Sequence, residues 1–281
     1  MKKSILIVFT ISIILNLYSC KTKKAIITSE SQYYTDSIYS KHLSEYRKHN
    51  IYLPKGFDKS KEYSIIYATD GNEKIENNAE KRMLDSLINN KLIRPVIYVA
   101  SHNNNKKAQE VVDYNTKKSF YDTYRTYEYT EFNVVDPPNA DLEARFKNHM
   151  LYFKDEFIPA IEATLQTGTK KVNRLFYGYS NGAGFGINFL NKNPGIINTF
   201  ICFSTLGSNY KNLAWDEKIK YPNLYIEYGN KEPVFFVRET ESVIKNYEIT
   251  NSFYQFQTFE GGHEKEKWDI ELAKTLVKIL K

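Results

Sequence analysis

The segment Gly178-Tyr179-Ser180-Asn181-Gly182 limits the fold of this chain more than any other. It follows Val172 to Tyr179, which reads as a strand, and opens Asn181 to Asn191, which reads as a helix. A chain that passes from strand to helix across a single serine must turn sharply. Small residues on both sides make room for that turn, which lifts the serine hydroxyl to the carboxyl edge of a sheet. Composition alone would produce G-x-S-x-G roughly 0.03 times in a chain with 12 glycines.

The surrounding sequence alternates strand and helix patterns. Tyr46 to Leu53 reads as a strand stopped by Pro54-Lys55-Gly56. Tyr63 to Thr69 is a near-continuous apolar run, as expected of a strand buried on both faces, and Asp70-Gly71-Asn72 breaks it. Further strands are expected at Arg94 to Ser101, Ile196 to Ser204, Pro222 to Gly229 and Ser252 to Phe259. Helices are expected at Asn77 to Asn89, Leu142 to Leu165, Val237 to Tyr247 and Lys265 to Lys281. This alternation predicts an α/β fold with a mainly parallel central sheet flanked by helices. Residues 102 to about 140, rich in Asn, Lys, Tyr and Asp, read as an excursion over one end of the sheet.

The N-terminus carries an address. Met1-Lys2-Lys3 is basic, Ser4 to Tyr18 is apolar and uncharged, and Leu17-Tyr18-Ser19-Cys20 closes the run. At about 15 residues it is short for a membrane-spanning helix, which needs about 20. The closing residues resemble a bacterial lipobox, in which the cysteine is lipidated. The expectation is therefore a signal peptide over 1–19, a polar tether over 20–36 and one domain over 37–281. The protein would sit in a bacterial cell envelope, held to the membrane through Cys20. The second cysteine, Cys202, lies in an apolar run and reads as a buried thiol.

Lysine and arginine number 39 against 33 acidic residues, a net charge of +6. Removing Lys2 and Lys3 leaves a mild, dispersed excess, so no nucleic-acid partner is expected. No convincing metal-ligand spacing, phosphate-binding glycine loop or dinucleotide fingerprint is present, so no metal and no cofactor are expected.

An activated serine needs a base. Of the five histidines, His263 follows Phe259-Glu260-Gly261-Gly262 at the end of the last expected strand, at the same sheet edge as Ser180. His102 also follows a strand but precedes the serine, against the order serine, acid, histidine. His42, His49 and His149 read as structural. The third member should be an acid between the two, and Glu232 in Gly229-Asn230-Lys231-Glu232-Pro233 follows a strand directly. Glu239, Glu241 and Asp216 are less well placed. An oxyanion hole needs two backbone N–H donors, expected at Asn181 and, after the Tyr63–Thr69 strand, at Gly71 or Asn72, with Asn72 favoured.

Taken in order, several segments resemble the esterase family of α/β-hydrolases that includes enterochelin-type siderophore esterases, feruloyl and acetyl-xylan esterases and mycolyltransferases. They are Leu43 to Arg47 leading to Ile51-Tyr52-Leu53-Pro54, Tyr67 to Gly71, Arg125 to Tyr129, Phe153 to Glu162, Gly178 to Gly182, Gly229 to Pro233, and Gly261-Gly262-His263. The resemblance covers about residues 37–281. It implies an α/β-hydrolase fold with Ser180 as nucleophile, His263 as base and Glu232 as acid. Enterochelin-type enzymes commonly carry a tryptophan after the Asp-Gly turn, where this chain has Asn72-Glu73. Arg125 falls near the implied substrate cleft, where it would bind a substrate oxygen or carboxylate or pair with Glu128. Tyr179, inside the motif, is a second candidate for substrate contact. The expected activity is hydrolysis of a carboxylic ester of the siderophore-lactone, feruloyl or acetyl-sugar type, on a small molecule or a glycan. A noncatalytic binding lipoprotein and an acyltransferase with the same triad are the alternatives.

Overall fold

A computed structural model describes residues 29–72, 78–112, 117–132, 135–167, 170–208 and 213–281. The expected signal peptide and Cys20 lie outside them.

The chain forms β1 (Gln32–Ser40), β2 (Glu45–Leu53), β3 (Ser64–Gly71), α1 (Ala79–Asn89) and β4 (Val96–His102). Next come β5 (Lys107–Val112), β6 (Ser119–Thr123), α2 (Tyr124–Tyr129), α3 (Ala140–Leu151) and α4 (Ile158–Leu165). The C-terminal half adds β7 (Arg174–Tyr179), α5 (Asn181–Lys192), β8 (Thr199–Phe203), β9 (Asn223–Gly229), α6 (Val234–Ile249), β10 (Tyr254–Phe259) and α7 (Lys265–Ile279).

Eight strands form one sheet in the order β1-β2-β4-β3-β7-β8-β9-β10. From β4 to β10 every neighbour pair is parallel, whereas β1–β2 and β2–β4 are antiparallel. The central strands are buried along nearly their whole length, because helices cover both faces. The helices α3 to α6 pack on one face through Phe153, Phe157, Phe185, Phe189 and Tyr247. The helices α1 and α7 cover the other through Leu84, Leu87, Trp268, Leu272 and Leu276. Parallel strands bring the loops after β3, β7, β8, β9 and β10 to one edge, where sites form in such sheets.

Two expectations need correction, and a third gains detail. The polar stretch expected to be a tether through residue 36 is already sheet from Gln32, since β1 pairs with β2 from Gln32↔Leu53 to Ser40↔Glu45. Only Ser40 of this edge strand is buried, so its side chains carry little apolar pattern, and its backbone bonds do not depend on side-chain type. Asn50 on β2 helps hold it, accepting from the Thr35 hydroxyl at 2.8 Å and donating to Tyr33 Oη at 3.1 Å. The long helix continues through residues 140–165, but Tyr152–Phe157 forms a wider π-type turn between α3 and α4. The excursion after residue 102 contains regular structure: β5 and β6 form an antiparallel hairpin and α2 follows it. Cys202 is buried in β8, and burial pushes its thiol pKa well up.

Candidate active site

The site begins at the turn between β7 and α5. Ser180 has φ 53° and ψ −131°, a left-handed conformation that costs an ordinary residue energy. The glycines make that turn possible. A Cβ on Gly178 would lie 2.7 Å from the Gly182 carbonyl, and one on Gly182 would lie 2.2 Å from Thr69 Oγ1. Backbone bonds hold the strained serine from both sides. Its N–H donates to the Phe203 carbonyl at 2.9 Å, and its carbonyl accepts from Gly184 at 3.0 Å and Leu206 at 3.2 Å.

His263 arrives from the loop between β10 and α7. Its Nε2 lies 3.0 Å from Ser180 Oγ, and its Nδ1 lies 3.0 Å from Glu232 Oε1. Glu232 follows β9, and its side chain is fully buried. Its second oxygen, Oε2, has no hydrogen-bond partner. The loops after β9 and β10 are fastened together. Asn230 N–H donates to the Phe259 carbonyl at 2.9 Å, Lys231 N–H to the Gly261 carbonyl at 2.9 Å, and Gly261 N–H to Asn230 Oδ1 at 3.2 Å. The Glu232–His263 distance is therefore fixed by backbone as well as by side chains.

Aromatic groups hold the imidazole plane. Phe236 stacks on it at 4.4 Å, and Trp268 meets it edge-on at 4.6 Å. The Trp268 indole N–H donates to Ser204 Oγ at 2.8 Å, and its ring stacks on Tyr179 at 4.5 Å. Tyr179, one of the expected substrate contacts, thus braces the tryptophan that braces the histidine.

Of the expected oxyanion donors, Asn181 is the first residue of α5, directly after Ser180. Asn72 follows the end of β3, and its carbonyl accepts from Asn50 Nδ2 at 2.6 Å. Asn50 also meets His102 Nε2 at 2.8 Å, so the buried His102 belongs to the framework behind this loop.

Arg125 does not pair with Glu128, one of its two expected roles. Its partner is Asp70, reached through Nε at 2.6 Å and Nη2 at 3.1 Å. Burial works against its charge, but Asp70 outweighs burial and raises the guanidinium pKa above its usual value. Glu128 instead faces Arg47 and Arg145, each at 2.8 Å. The sequence offered no way to rank the two carboxylates, because the pairing is set by Arg47 and Arg145, which arrive from β2 and α3 to take Glu128. Sequence reasoning also missed Phe236, Trp268 and Ser204. Trp268 carried a faint signal as one of only two tryptophans, five positions beyond His263.

Among the described residues, no group of three or more His, Cys, Asp or Glu side chains could hold a metal ion.

Residues 40–279 match the family described as "Putative esterase". No curated protein matches the chain in sequence. Among solved structures, a ferulic acid esterase superposes with TM-score 0.69 at 18% identity, over 90% of this chain and 99% of its own. An IroE-like serine hydrolase from Shewanella oneidensis gives TM-score 0.67 at 17% identity, over 89% and 80%. The enterobactin esterase FES from Shigella flexneri gives TM-score 0.62 at 16% identity, over 88% of this chain and 59% of its own. At these identities the structures speak to fold, and they share its mostly parallel sheet flanked by helices. The family match spans nearly the whole described chain, so this protein belongs to that esterase family and is a carboxylic ester hydrolase.

Proposed function

We propose that Ser180, His263 and Glu232 form the catalytic triad of a serine esterase that works through an acyl-enzyme. The observation that carries this reading is the unbroken line from Ser180 Oγ through the His263 ring to Glu232, with both contacts at 3.0 Å. With the Nδ1 proton donated to Glu232, Nε2 is the lone pair that faces the serine hydroxyl. Ser180 Oγ attacks the ester carbonyl carbon as its proton passes to Nε2. The tetrahedral oxyanion is held by backbone N–H groups, for which Asn181 and Asn72 are the candidates. On collapse, the carbon–oxygen bond to the alcohol breaks, and Nε2 returns the proton to that oxygen. Water then repeats the sequence on the acyl-enzyme, releasing the acid and restoring Ser180. Glu232 holds the ring in one tautomer. Being buried with one oxygen unpartnered, it gains most when the ring becomes cationic.

The substrate in this reading is an ester of the feruloyl, siderophore-lactone or acetyl-sugar type. The named neighbours include a ferulic acid esterase and an enterobactin esterase. The leader and Leu17-Tyr18-Ser19-Cys20 support a further proposal, that the protein is anchored to the envelope through a lipidated Cys20. Cys20→Ala should then move it from the membrane to the soluble fraction.

Hydrolysis of p-nitrophenyl acetate, p-nitrophenyl butyrate, methyl ferulate, acetylated xylan and a catecholate lactone tests the catalytic reading. Purified wild type and Ser180→Ala are compared side by side. Loss of the nucleophile should lower kcat by about 10⁴-fold or more. Retained turnover in Ser180→Ala would overturn the assignment. Absence of turnover in the wild type, together with no labelling by a fluorophosphonate, would leave a binding protein.

A further inference from the structure

We infer that Arg125 is a positioning residue that clamps the two halves of the oxyanion hole together. The inference rests on the Ser180 reading above and gives α2 a part in it. The two candidate donors stand on separate elements, Asn72 just beyond β3 and Asn181 at the start of α5. The regular β3–β7 register runs from Ile65↔Arg174 to Ala68↔Tyr177 and stops short of both donors. A side chain that bridges the two elements can set their spacing there.

The Arg125 guanidinium reaches Asp70, two residues before Asn72, and Asn181 itself. Its Nε and Nη2 take the two oxygens of Asp70 at 2.6 and 3.1 Å, and its Nη1 donates to Asn181 Oδ1 at 3.3 Å. Asp70 sits two residues before Asn72 and has φ 60°, a conformation that an aspartate keeps only when its surroundings enforce it. The enforcement is visible. The Asp70 side chain is almost fully buried, and its N–H donates to Tyr129 Oη at 3.3 Å. Its Oδ2 lies against the first turn of α5, 2.8 Å from where a Gly182 Cβ would stand. Asn181 is held from its other side too, with Nδ2 donating to Thr130 Oγ1 at 3.2 Å. Arg125 itself is fixed by its N–H on the Asn104 carbonyl at 2.8 Å and by its guanidinium over the Tyr129 ring at 4.9 Å.

A planar fork with both ends engaged sets a distance and an angle, which a lysine ammonium cannot do. The same engagement means that Arg125 is not an open cation awaiting a substrate carboxylate. Its contribution goes to the tetrahedral intermediate, through the donors it spaces.

The test is steady-state kinetics on p-nitrophenyl acetate, with phenylboronic acid as the tetrahedral probe. Arg125→Lys keeps the charge and loses the fork. It should lower kcat roughly 10- to 100-fold, since one oxyanion donor is worth about 10²- to 10³-fold and a small misplacement costs part of that. KM should stay within about threefold, and the boronic acid inhibition constant should rise in step with the loss in kcat/KM. Asp70→Asn should behave alike, and the double variant should be no worse than the poorer single one, because the pair acts as a unit. Urea unfolding midpoints near the wild-type value in Arg125→Lys complete the expected pattern. A kcat within twofold of wild type would overturn the clamp. A loss confined to KM would overturn it in favour of substrate binding, and an activity loss matched by loss of folded protein would overturn it in favour of a purely structural role. Wild-type turnover that does not need Ser180 overturns both readings, whereas Ser180-dependent turnover that ignores Arg125 overturns the clamp alone.

Discussion

At the scale of single residues, the site depends on a few atoms that are missing. Ser180 holds a strained backbone, worth about 1–3 kcal/mol, because flanking glycines leave the space and three backbone bonds enforce the turn. Gly182 is the sharper case. A methyl group there would meet Thr69 Oγ1 at 2.2 Å and Asp70 Oδ2 at 2.8 Å, so the first turn of α5 would have to move away from β3. Gly182→Ala should therefore destabilise the fold by about 1–3 kcal/mol. It should also lower kcat more than KM, since the serine moves with the helix. Gly195→Ala is the control, because nothing stands within 4 Å of its Cβ position. Urea unfolding and ester hydrolysis on both variants check this, and equal behaviour of the two would refute it.

At the scale of elements, α2 is six residues long and works on two sides. One side sends Arg125 to Asp70 and Asn181. The other sends Glu128, with no exposed surface, between Arg47 and Arg145. Arg145 also reaches Glu45 at 2.5 Å, so α2, α3 and β2 are tied by one buried ionic cluster. A cluster of this kind adds little over apolar packing, but removing one member leaves charges stranded. Glu128→Ala should cost about 3–5 kcal/mol on that ground. It should also depress kcat without touching any group near Ser180, because α2 loses its anchor and Arg125 moves with it. Denaturant unfolding and the kcat of the folded fraction measure the two effects. A variant with full kcat and wild-type stability would show that α2 is held by other means.

At the scale of the whole molecule, a carboxyl group is buried between the sheet and α7. Glu227 on β9 is 2% exposed, and its Oε1 accepts from Gln257 at 2.7 Å and from Thr275 on α7 at 3.2 Å. Burial first, and Glu271 nearby, push its pKa up to about 7, against the opposing bonds from Gln257 and Thr275. A carboxyl group raised in the folded state favours folding while protonated. That contribution is complete below its ordinary value near 4.5 and is lost as the pH rises through about 7. The wild type should therefore lose stability between pH 5 and 8. Glu227→Gln, which keeps the accepting oxygen, should be more stable than wild type at pH 8 by about 1–3 kcal/mol. At pH 4.5 the advantage should vanish. Urea unfolding at the two pH values decides it, and an advantage independent of pH would point away from titration.

The sequence by itself determined the parts that local chemistry specifies. The glycines around Ser180 leave room for only a tight turn between a strand and a helix. Apolar runs such as Tyr63 to Thr69 suit only a strand covered on both faces. Glu232 and His263 stood out because each follows a strand whose carboxyl end must reach the same edge. The tertiary structure alone decided which charges pair and which aromatic rings meet. Arg125 has Glu128 three residues away, a spacing that favours pairing along a helix, yet bonds Asp70, 55 residues away, because Arg47 and Arg145 take Glu128 across the fold. β1 was hidden for a related reason. An edge strand is held by backbone bonds to β2, and backbone groups are the same in every residue. Periodicity and spacing reveal what a residue needs from its neighbours along the chain, whereas partners across the fold are set by packing that no local pattern contains.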